Sequence, residues 1–184
     1  MAAPANALPT LPTLAGTHCV LRALRPADAP AIARHANDAA VVLNLHDGFP
    51  HPYTLAHAQA WCGAQHREPA FGHVWAITVD DTAIGCVGVL PGSGLLACNA
   101  ELGYWIGQAF WGRGIAADAL GLASAWAWRH LPAVQRLFAP IYARNPASQR
   151  VAAKAGYTLE ARIPRSRIKG GEVIDVVQWA AYRR

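Results

Sequence analysis

Apolar and polar positions recur with two different periods along this chain, and together they predict alternating strands and helices. Strands are predicted where apolar residues alternate or run together, at 20–24, 74–79, 84–90, 99–106, 135–143, 157–163 and 173–182. Helices are predicted over 26–37, 54–67, 115–131 and 145–155. The element order is βααβββαβαββ, so we expect an α/β (α+β) protein with a mixed sheet.

Helix boundaries are marked by capping residues. Asn145 is placed as an N-cap, Pro146 stands at the first helical position, and Gly156 follows the last turn. Thr54 is a plausible N-cap for the second helix, and Pro26 marks the start of the first. These signals fix the helix starts more closely than the apolar period alone does.

Composition indicates a single globular domain. The chain has 184 residues, of which 53% are apolar and 15% are charged. We expect a flexible Pro/Ala-rich arm at 1–14 and one domain at 15–184. No window has the uninterrupted apolar length of a membrane helix, and the start lacks the basic and apolar segments of a signal peptide. Four scattered cysteines predict reduced thiols in a cytoplasmic protein: Cys19, Cys62, Cys86 and Cys98.

The charge pattern limits the possible partners. A net charge of +5 permits attraction to phosphates, CoA or RNA, but there is no long basic run and no nucleic-acid motif. Cys62 and His66 stand four residues apart on the second helix, and His57 is offset around it, so we expect no metal site. His46 and His51 lie in the irregular segment between the first two helices, where they either line the site of an acceptor substrate or are simply exposed.

Residues 110–118, Phe-Trp-Gly-Arg-Gly-Ile-Ala-Ala-Asp, carry the clearest functional signal. They join a strand to a helix, and Gly112 and Gly114 permit positive φ and a close ligand approach. Unpaired N–H groups at a helix N-terminus bind phosphate, although an ordinary strand-to-helix connection is the alternative. A Walker loop is excluded because Ile115 and Ala116 follow Gly114, and the third glycine of a dinucleotide fingerprint is absent.

Several short motifs, in this order and spacing, resemble the GNAT acetyltransferase superfamily, and within it the RimJ/RimL-like branch that acetylates protein N-termini. The resemblance covers about residues 17–182. It rests on Leu21-Arg22 with Pro26-Ala-Asp28, Glu101-Leu-Gly-Tyr-Trp-Ile106, Trp111-Gly-Arg-Gly-Ile-Ala116, Asn145-Pro-Ala-Ser148, Lys154-Ala-Gly-Tyr157 and Gly171 through Asp175. Trp111 stands where the superfamily usually has Gln or Arg, as in the RimJ/RimL branch, and Ala116 replaces the last glycine.

The resemblance implies a mostly antiparallel seven-stranded sheet with four helices, splayed between strands 4 and 5. It also implies acetyl-CoA as cosubstrate, with pantetheine between those strands, its pyrophosphate on the N–H groups of residues 112–117 and no metal. The implied cofactor contacts are Tyr104, Trp105, Ile106, Trp111, Gly112, Arg113, Gly114, Ile115, Ala116, Asn145, Ser148 and Lys154.

The same resemblance gives candidate catalytic roles. Glu101 is the candidate general base, and pairing with a nearby Arg or Lys is the alternative. Ser148 is the candidate proton donor to the CoA sulfur, or else a solvent-facing serine. Asn145 caps its helix, pairs with the pantetheine amide, or does both. An N–H group of Tyr104, Trp105 or Ile106 polarises the thioester oxygen.

The acceptor is an amine whose identity the residues constrain only in part. An α-amine has a pKa of about 8 and a lysine amine one of about 10.4, so a larger fraction of the α-amine is neutral at pH 7. A site with few basic groups therefore suits a protein N-terminus. The segment 38–57, expected to form the acceptor wall, holds only Asp38 and Asp47 as acids, which disfavours polycations. We therefore expect direct attack by an N-terminal amine in a ternary complex, in a monomer or homodimer. The alternatives are a small-molecule amine (an amino-acid derivative, polyamine or aminoglycoside) and a non-catalytic acyl-CoA-binding module.

Overall fold

The computed structural model describes residues 11–63 and 65–184, which form one sheet with helices packed on both faces. The strands are β1 (Leu14–Ala15), β2 (Val20–Arg22), β3 (His73–Val79), β4 (Thr82–Pro91), β5 (Asn99–Ile106), β6 (Arg136–Tyr142), β7 (Thr158–Lys169) and β8 (Glu172–Tyr182). The α-helices are α1 (Ala29–Ala36), α2 (Ala39–Val42), α3 (Leu55–Gly63), α4 (Ile115–His130) and α5 (Pro146–Lys154). The strand order is β1-β2-β3-β4-β5-β6-β8-β7.

The mixed, mostly antiparallel fold is confirmed, but the predicted element counts were too low by one strand and one helix. β1 has two residues and α2 has four, so neither is long enough to show a period in the sequence. The predicted second helix ends at Gly63, and residues Gln65–Arg67 form a separate 3-10 turn. No described helix is long and apolar enough to cross a membrane.

The predicted N-terminal arm lies mostly outside the described residues. Its last residues run along the sheet, where the carbonyl of Pro12 accepts a hydrogen bond from the Trp75 indole at 3.0 Å. Leu14 then pairs with Leu21 as β1 joins β2. Pro12 and Leu14, within the predicted arm, therefore contact the sheet.

Two apolar cores lie on opposite faces of the sheet because side chains alternate along each strand. On β3, Trp75 and Ile77 point to one face, where α4 and α5 pack. Val74 and Ala76 point to the other face, where α1 and α3 pack. Trp126 of α4 is buried against Trp75, with ring centroids 4.8 Å apart, so its role is helix packing.

The sheet is interrupted between β5 and β6, the only parallel neighbours among the strands of residues 11–63 and 65–184. These strands pair solely at residues 99–101 and 136–138. Beyond Glu101, β5 pairs only with β4, and beyond Phe138, β6 pairs only with β8. The sheet therefore forks here, which confirms the predicted splay and leaves a gap between the two strands.

A buried ion pair joins β2 to the start of α1. Arg22 and Asp28 form a two-point contact at 2.8 Å, with side chains 5% and 8% exposed. The remaining N–H groups of Arg22 donate to the carbonyls of Ala23 and Asp81 and to the Asp81 carboxylate. All five guanidinium donors are therefore satisfied, which offsets the cost of burying the charge.

Replacing Asp28 by Asn should lower the free energy of unfolding by about 3–5 kcal/mol, because it leaves the buried Arg22 charge with only the exposed Asp81 carboxylate as counter-ion. Urea denaturation measures the change. Asp81→Asn is the matched control: the Asp81 side chain is 69% exposed, so the loss of its charge should lower the free energy of unfolding much less. Equal losses in the two variants would contradict this account.

Candidate active site

A cavity of about 590 Å³ occupies the gap between β5 and β6. Its walls are the glycine-bearing loop before α4, one side of α5, α2 with the loop that follows it, and one residue each of β7 and β8. Every residue that the sequence analysis proposed for cofactor binding or catalysis lines this cavity. The fork therefore brings together residues from distant parts of the chain around one space.

The loop before α4 presents a row of unpaired N–H groups. Gly112 and Gly114 have φ of +78° and +80°, the left-handed conformation in which glycine is strongly favoured. Within the described residues, none of the N–H groups of residues 112–117 donates to a protein acceptor. They lie at the N-terminus of the 16-residue helix α4, where the helix dipole favours an anion.

The loop is held in place by contacts that the sequence did not reveal. The Trp111 indole donates a hydrogen bond to the carbonyl of Ile106, the last residue of β5, at 2.9 Å. The His35 ring of α1 lies against Gly107, where a Cβ would come within 2.5 Å of it, and it contacts Phe110 edge-on at 5.4 Å. Trp111 thus joins the loop to the strand, in addition to lining the cavity.

His18 is a second neighbour of the loop that sequence reasoning missed. A Cβ on Gly114 would lie 3.2 Å from the His18 ring, which is closer than an ordinary van der Waals contact. The N–H groups of His18 and Cys19 donate to the Asp118 carboxylate in the first turn of α4, at 2.6 and 3.2 Å. Nothing in a local pattern relates these positions, because about a hundred residues separate them.

The first turn of α5 contributes Asn145 and Ser148. The Asn145 side-chain oxygen accepts the Ser148 N–H at 3.1 Å, so the predicted N-cap is present. Its amide nitrogen makes no hydrogen bond within the described residues, and Asn145 lines the cavity. One amide can therefore cap the helix and still offer a donor to a ligand.

The Ser148 hydroxyl is paired with Tyr104 of β5. The two hydroxyl oxygens lie 2.7 Å apart, and the Tyr104 hydroxyl also lies 3.1 Å from the Ser148 carbonyl. Burial raises the pKa of Tyr104 to about 12, so the phenol keeps its proton at neutral pH. The sequence analysis had considered only the backbone of Tyr104, although its position on β5 places it on the face opposite Glu101.

Glu101 lies where the two strands part, opposite Phe138 at the last parallel register position. Burial raises the pKa of its carboxyl above the ordinary value, and the cation of Arg167 opposes that rise. Glu101 and Trp105 share one face of β5, and the Trp105 ring contacts Phe49 edge-on at 5.9 Å. A carboxylate of this kind, half-buried in a cavity, is a reasonable general base.

The predicted acceptor wall, residues 38–57, does contribute to the cavity through α2 and Asn44, Leu45 and His46. His51 does not line the cavity. Both acids of this wall are engaged: Asp38 accepts the N–H of Ala40 at 2.8 Å as the α2 N-cap, and Asp47 contacts Lys169 at 2.9 Å. Asp47 also accepts the N–H of Gly170 at 2.9 Å, so the wall is joined to the β7–β8 turn.

Cationic side chains lie at the loop and α5 end of the cavity. Arg113 and Lys154, both proposed from the sequence, line it together with Arg150, which the sequence analysis missed. The Arg113 guanidinium lies 5.4 Å from the centroid of the Phe110 ring. No group of three or more metal-ligating side chains exists among the described residues. Of the residues considered for zinc, His57 and His66 use their Nδ1 atoms on backbone groups.

Comparison with known proteins identifies the family. Residues 18–158 match the model of the acetyltransferase (GNAT) domain. A comparison with curated protein sequences gave no match.

Solved acetyltransferases share the fold. Mycobacterium smegmatis RimJ in complex with CoA-disulfide aligns with a TM-score of 0.80 and 22% identity, over 93% of this chain and 87% of that one. RimL, a ribosomal L7/L12 alpha-N-protein acetyltransferase in complex with coenzyme A, aligns with a TM-score of 0.77 and 20% identity, over 96% and 98%. The microcin C7 self-immunity acetyltransferase MccE, in complex with acetyl-CoA and AMP, aligns with a TM-score of 0.78 and 16% identity, over 90% and 93%. At these identities the likeness concerns the fold.

The matched family model spans the β5–β6 fork and the loop before α4. These are the features around which the cavity forms. The chain belongs to the GNAT acetyltransferase family, and it is an N-acetyltransferase.

Proposed function

We propose that this enzyme transfers acetyl from acetyl-CoA to the α-amine of a protein N-terminus, by direct attack in a ternary complex. The observation that carries the proposal is the small number of carboxylates that could accept a proton from the amine. Glu101 is the one carboxylate among the described residues that lines the cavity, and burial raises its pKa. About a tenth of an α-amine with a pKa of about 8 is neutral at pH 7, whereas less than about 0.1% of a lysine amine with a pKa of about 10.4 is neutral.

The wall chemistry supports the same acceptor over a polycation. Asp38 and Asp47 are occupied by a helix N-cap and by Lys169, so neither offers a counter-charge to a second cationic group. A polyamine or aminoglycoside would have to place its other ammonium groups in a cavity whose acceptor side carries the cation of Arg167. Like charges of this kind oppose binding. The similar fold of RimL, a ribosomal L7/L12 alpha-N-protein acetyltransferase, also favours a protein acceptor.

The residues of the cavity fit acetyl-CoA, which supplies an activated thioester. The N–H groups of residues 112–117 would hold its pyrophosphate, with Arg113 and Lys154 adding positive charge. The pantetheine would lie in the gap between β5 and β6, where the Asn145 amide nitrogen is available. Alternate N–H groups of β5 beyond Glu101 face that gap because β6 no longer pairs with them. One of them, in Tyr104, Trp105 or Ile106, would polarise the thioester oxygen.

Proton transfer would use opposite faces of β5. Glu101, directly or through water, would accept the proton of the attacking amine. On the other face, the Tyr104 hydroxyl would donate to the Ser148 oxygen, which leaves the Ser148 proton for the departing thiolate. As the Ser148 proton leaves, the Tyr104 proton would pass to the Ser148 oxygen, and water would then return a proton to Tyr104. A phenol whose pKa is about 12 is protonated at neutral pH and can therefore act as this donor.

An amine panel tests the function. Unmodified N-terminal peptides, the same peptides with a blocked N-terminus and an internal lysine, and small amines are each incubated with acetyl-CoA, and free CoA is measured. The α-amine peptides should react and the blocked lysine peptides should not, because the lysine amine is almost fully protonated. Turnover confined to the small amines would contradict the protein acceptor.

Two glycine variants serve as controls for that panel. Gly114→Val should lose CoA binding in calorimetry, because valine is strained at φ +80° and its Cβ would meet the His18 ring at 3.2 Å. Gly121→Ala should bind normally, since Gly121 lies within α4 with nothing within 4 Å of an added Cβ. Normal binding by a folded Gly114→Val protein would mean that the loop does not hold the pyrophosphate.

The hydroxyl pair predicts a graded loss of rate. Ser148→Ala should lower kcat by roughly 10- to 100-fold and Tyr104→Phe by less, because water replaces part of a general acid. The Kd for CoA should change little in either, which separates a proton-transfer role from disruption of α5. Ser93→Ala, an exposed serine outside the cavity, is the control. An unchanged kcat for Ser148→Ala would exclude it as the proton donor.

Glu101→Gln should lower kcat/KM by about 100-fold while leaving the protein at least as stable. Burial raises the pKa of Glu101 above 4.5, so the folded state holds this proton more tightly than the unfolded chain. Ionisation as the pH rises through and above 4.5 therefore destabilises the wild type, and the Tm advantage of Glu101→Gln should grow over that range. The exposed Glu68→Gln should show no such trend in thermal scans. A Tm advantage that shrinks with rising pH would refute the burial argument.

A further inference from the structure

Strand β7 carries an irregularity that places one arginine at the cavity. Its pairing with β8 shifts register between Ile163 and Arg167, and Arg165 has φ of +51°, unusual for a residue with a side chain. The Asp175 carboxylate of β8 accepts the N–H of Arg165 at 2.8 Å, and the Ser166 hydroxyl donates to the Ile163 carbonyl at 3.1 Å. Two side chains thus hold the bulge.

The bulge shifts the position of Arg167 along the sheet. Ile163 pairs with Val176 and Arg167 with Ile174, so β7 has two more residues than β8 between these pairs. Irregularities of this kind are common beside active sites. Arg167 follows the bulge and lines the cavity, whereas its strand neighbours Arg162 and Arg165 do not. Asp175, which the sequence resemblance included, therefore supports the cavity wall through the backbone of Arg165.

The charges around Arg167 leave its guanidinium without a carboxylate partner in the described residues. Its one hydrogen bond is to the Ser166 carbonyl at 2.8 Å. The nearby acids are engaged elsewhere: Asp47 with Lys169 at 2.9 Å and Glu172 with Arg144 at 3.0 Å. The charge of Arg167 lowers the pKa of Glu101, but the two side chains form no ion pair within 4.0 Å.

The position of Arg167 indicates the acceptor and not the cofactor as its ligand. The other cations of the cavity, Arg113, Arg150 and Lys154, lie on the glycine loop and α5, where the phosphates would bind. Arg167 lies across the fork from them, on the strand beyond β8, and shares the cavity with Glu101 and His46. A guanidinium presents a planar fork that matches a carboxylate.

We propose that Arg167 binds a carboxylate carried by the acceptor close to its reactive amine, so that the enzyme selects amines on acidic molecules. This inference rests on the proposed acetyl transfer to an amine and specifies the acceptor. Arg167 is a specificity-determining residue in this account. In a protein acceptor the carboxylate would be an acidic side chain directly after the N-terminal residue; in a small acceptor it would be the carboxylate of an amino acid.

The test uses peptides identical except at the second residue, which is Asp, Asn or Lys. With the wild-type enzyme, kcat/KM should be about five- to tenfold higher for Asp than for Asn, and lowest for Lys, as expected for a partly exposed charge-assisted contact. Arg167→Gln should abolish the Asp-over-Asn preference, and Arg167→Lys should retain part of it. Arg162→Gln, an exposed arginine of the same strand outside the cavity, should behave as wild type.

The ratio between acceptors separates this role from an effect on Glu101. If Arg167 acted only by stabilising the ionised base, Arg167→Gln would lower kcat/KM for all three peptides by one factor and keep their ratio, which would overturn the proposal. Raising the salt concentration should reduce the wild-type ratio and leave that of Arg167→Gln unchanged. Equal wild-type rates on Asp and Asn peptides would also overturn it.

Two further measurements identify the source of the carboxylate and separate failure of this inference from failure of the proposed function. Free aspartate and its diamide are compared as acceptors alongside the peptides: a preference confined to free aspartate would support a small acidic acceptor, and one confined to the peptides a protein. CoA binding is measured in parallel with every variant. Intact CoA binding without transfer to any amine would refute the proposed function, and this inference with it, whereas transfer without an acid preference would refute the inference alone.

Discussion

The short parallel contact between β5 and β6 is the constraint on which the rest of the molecule depends. Pairing covers only residues 99–101 and 136–138, so both strands continue with one edge unpaired. Because side chains alternate along β5, the carboxylate of Glu101 and the hydroxyl of Tyr104 lie on opposite faces of the same strand. In the proposed mechanism, the group that removes a proton from the amine and the group that returns a proton to the thiolate therefore lie on opposite faces of β5.

The opening in the sheet is stabilised by contacts among the elements that surround it. Arg22 and Asp28 fix α1 to β2, and His35 of α1 packs on Gly107 and Phe110 at the end of β5. Trp111 then connects the loop to the Ile106 carbonyl. An anion site made of backbone N–H groups depends on such support, since those groups stabilise charge only when their directions are fixed in advance.

Local signals in the sequence were sufficient for every strand and helix except the short β1 and α2, and for most of the cavity. The glycine loop, the Asn145 N-cap and the β3–β4 hairpin depend on neighbours a few residues apart, and each was predictable. The Tyr104–Ser148 contact and the contact of His18 with Gly114 join residues 44 or more positions apart, so no local pattern encodes them. The bulge before Arg167 was not predicted for a different reason. It requires a positive φ at Arg165, a conformation that residues with a side chain rarely adopt.

The Asp47 contacts have a consequence for motion. The acceptor wall is joined to the β7–β8 turn by an ion pair to Lys169 and a hydrogen bond to the Gly170 N–H, and the Asp47 side chain is half exposed. Lys169 is only 12% exposed in this ion pair, so water screens one partner and not the other. A displacement of the β7–β8 turn would therefore move the wall of the cavity with it, although the two segments are more than a hundred residues apart in the chain.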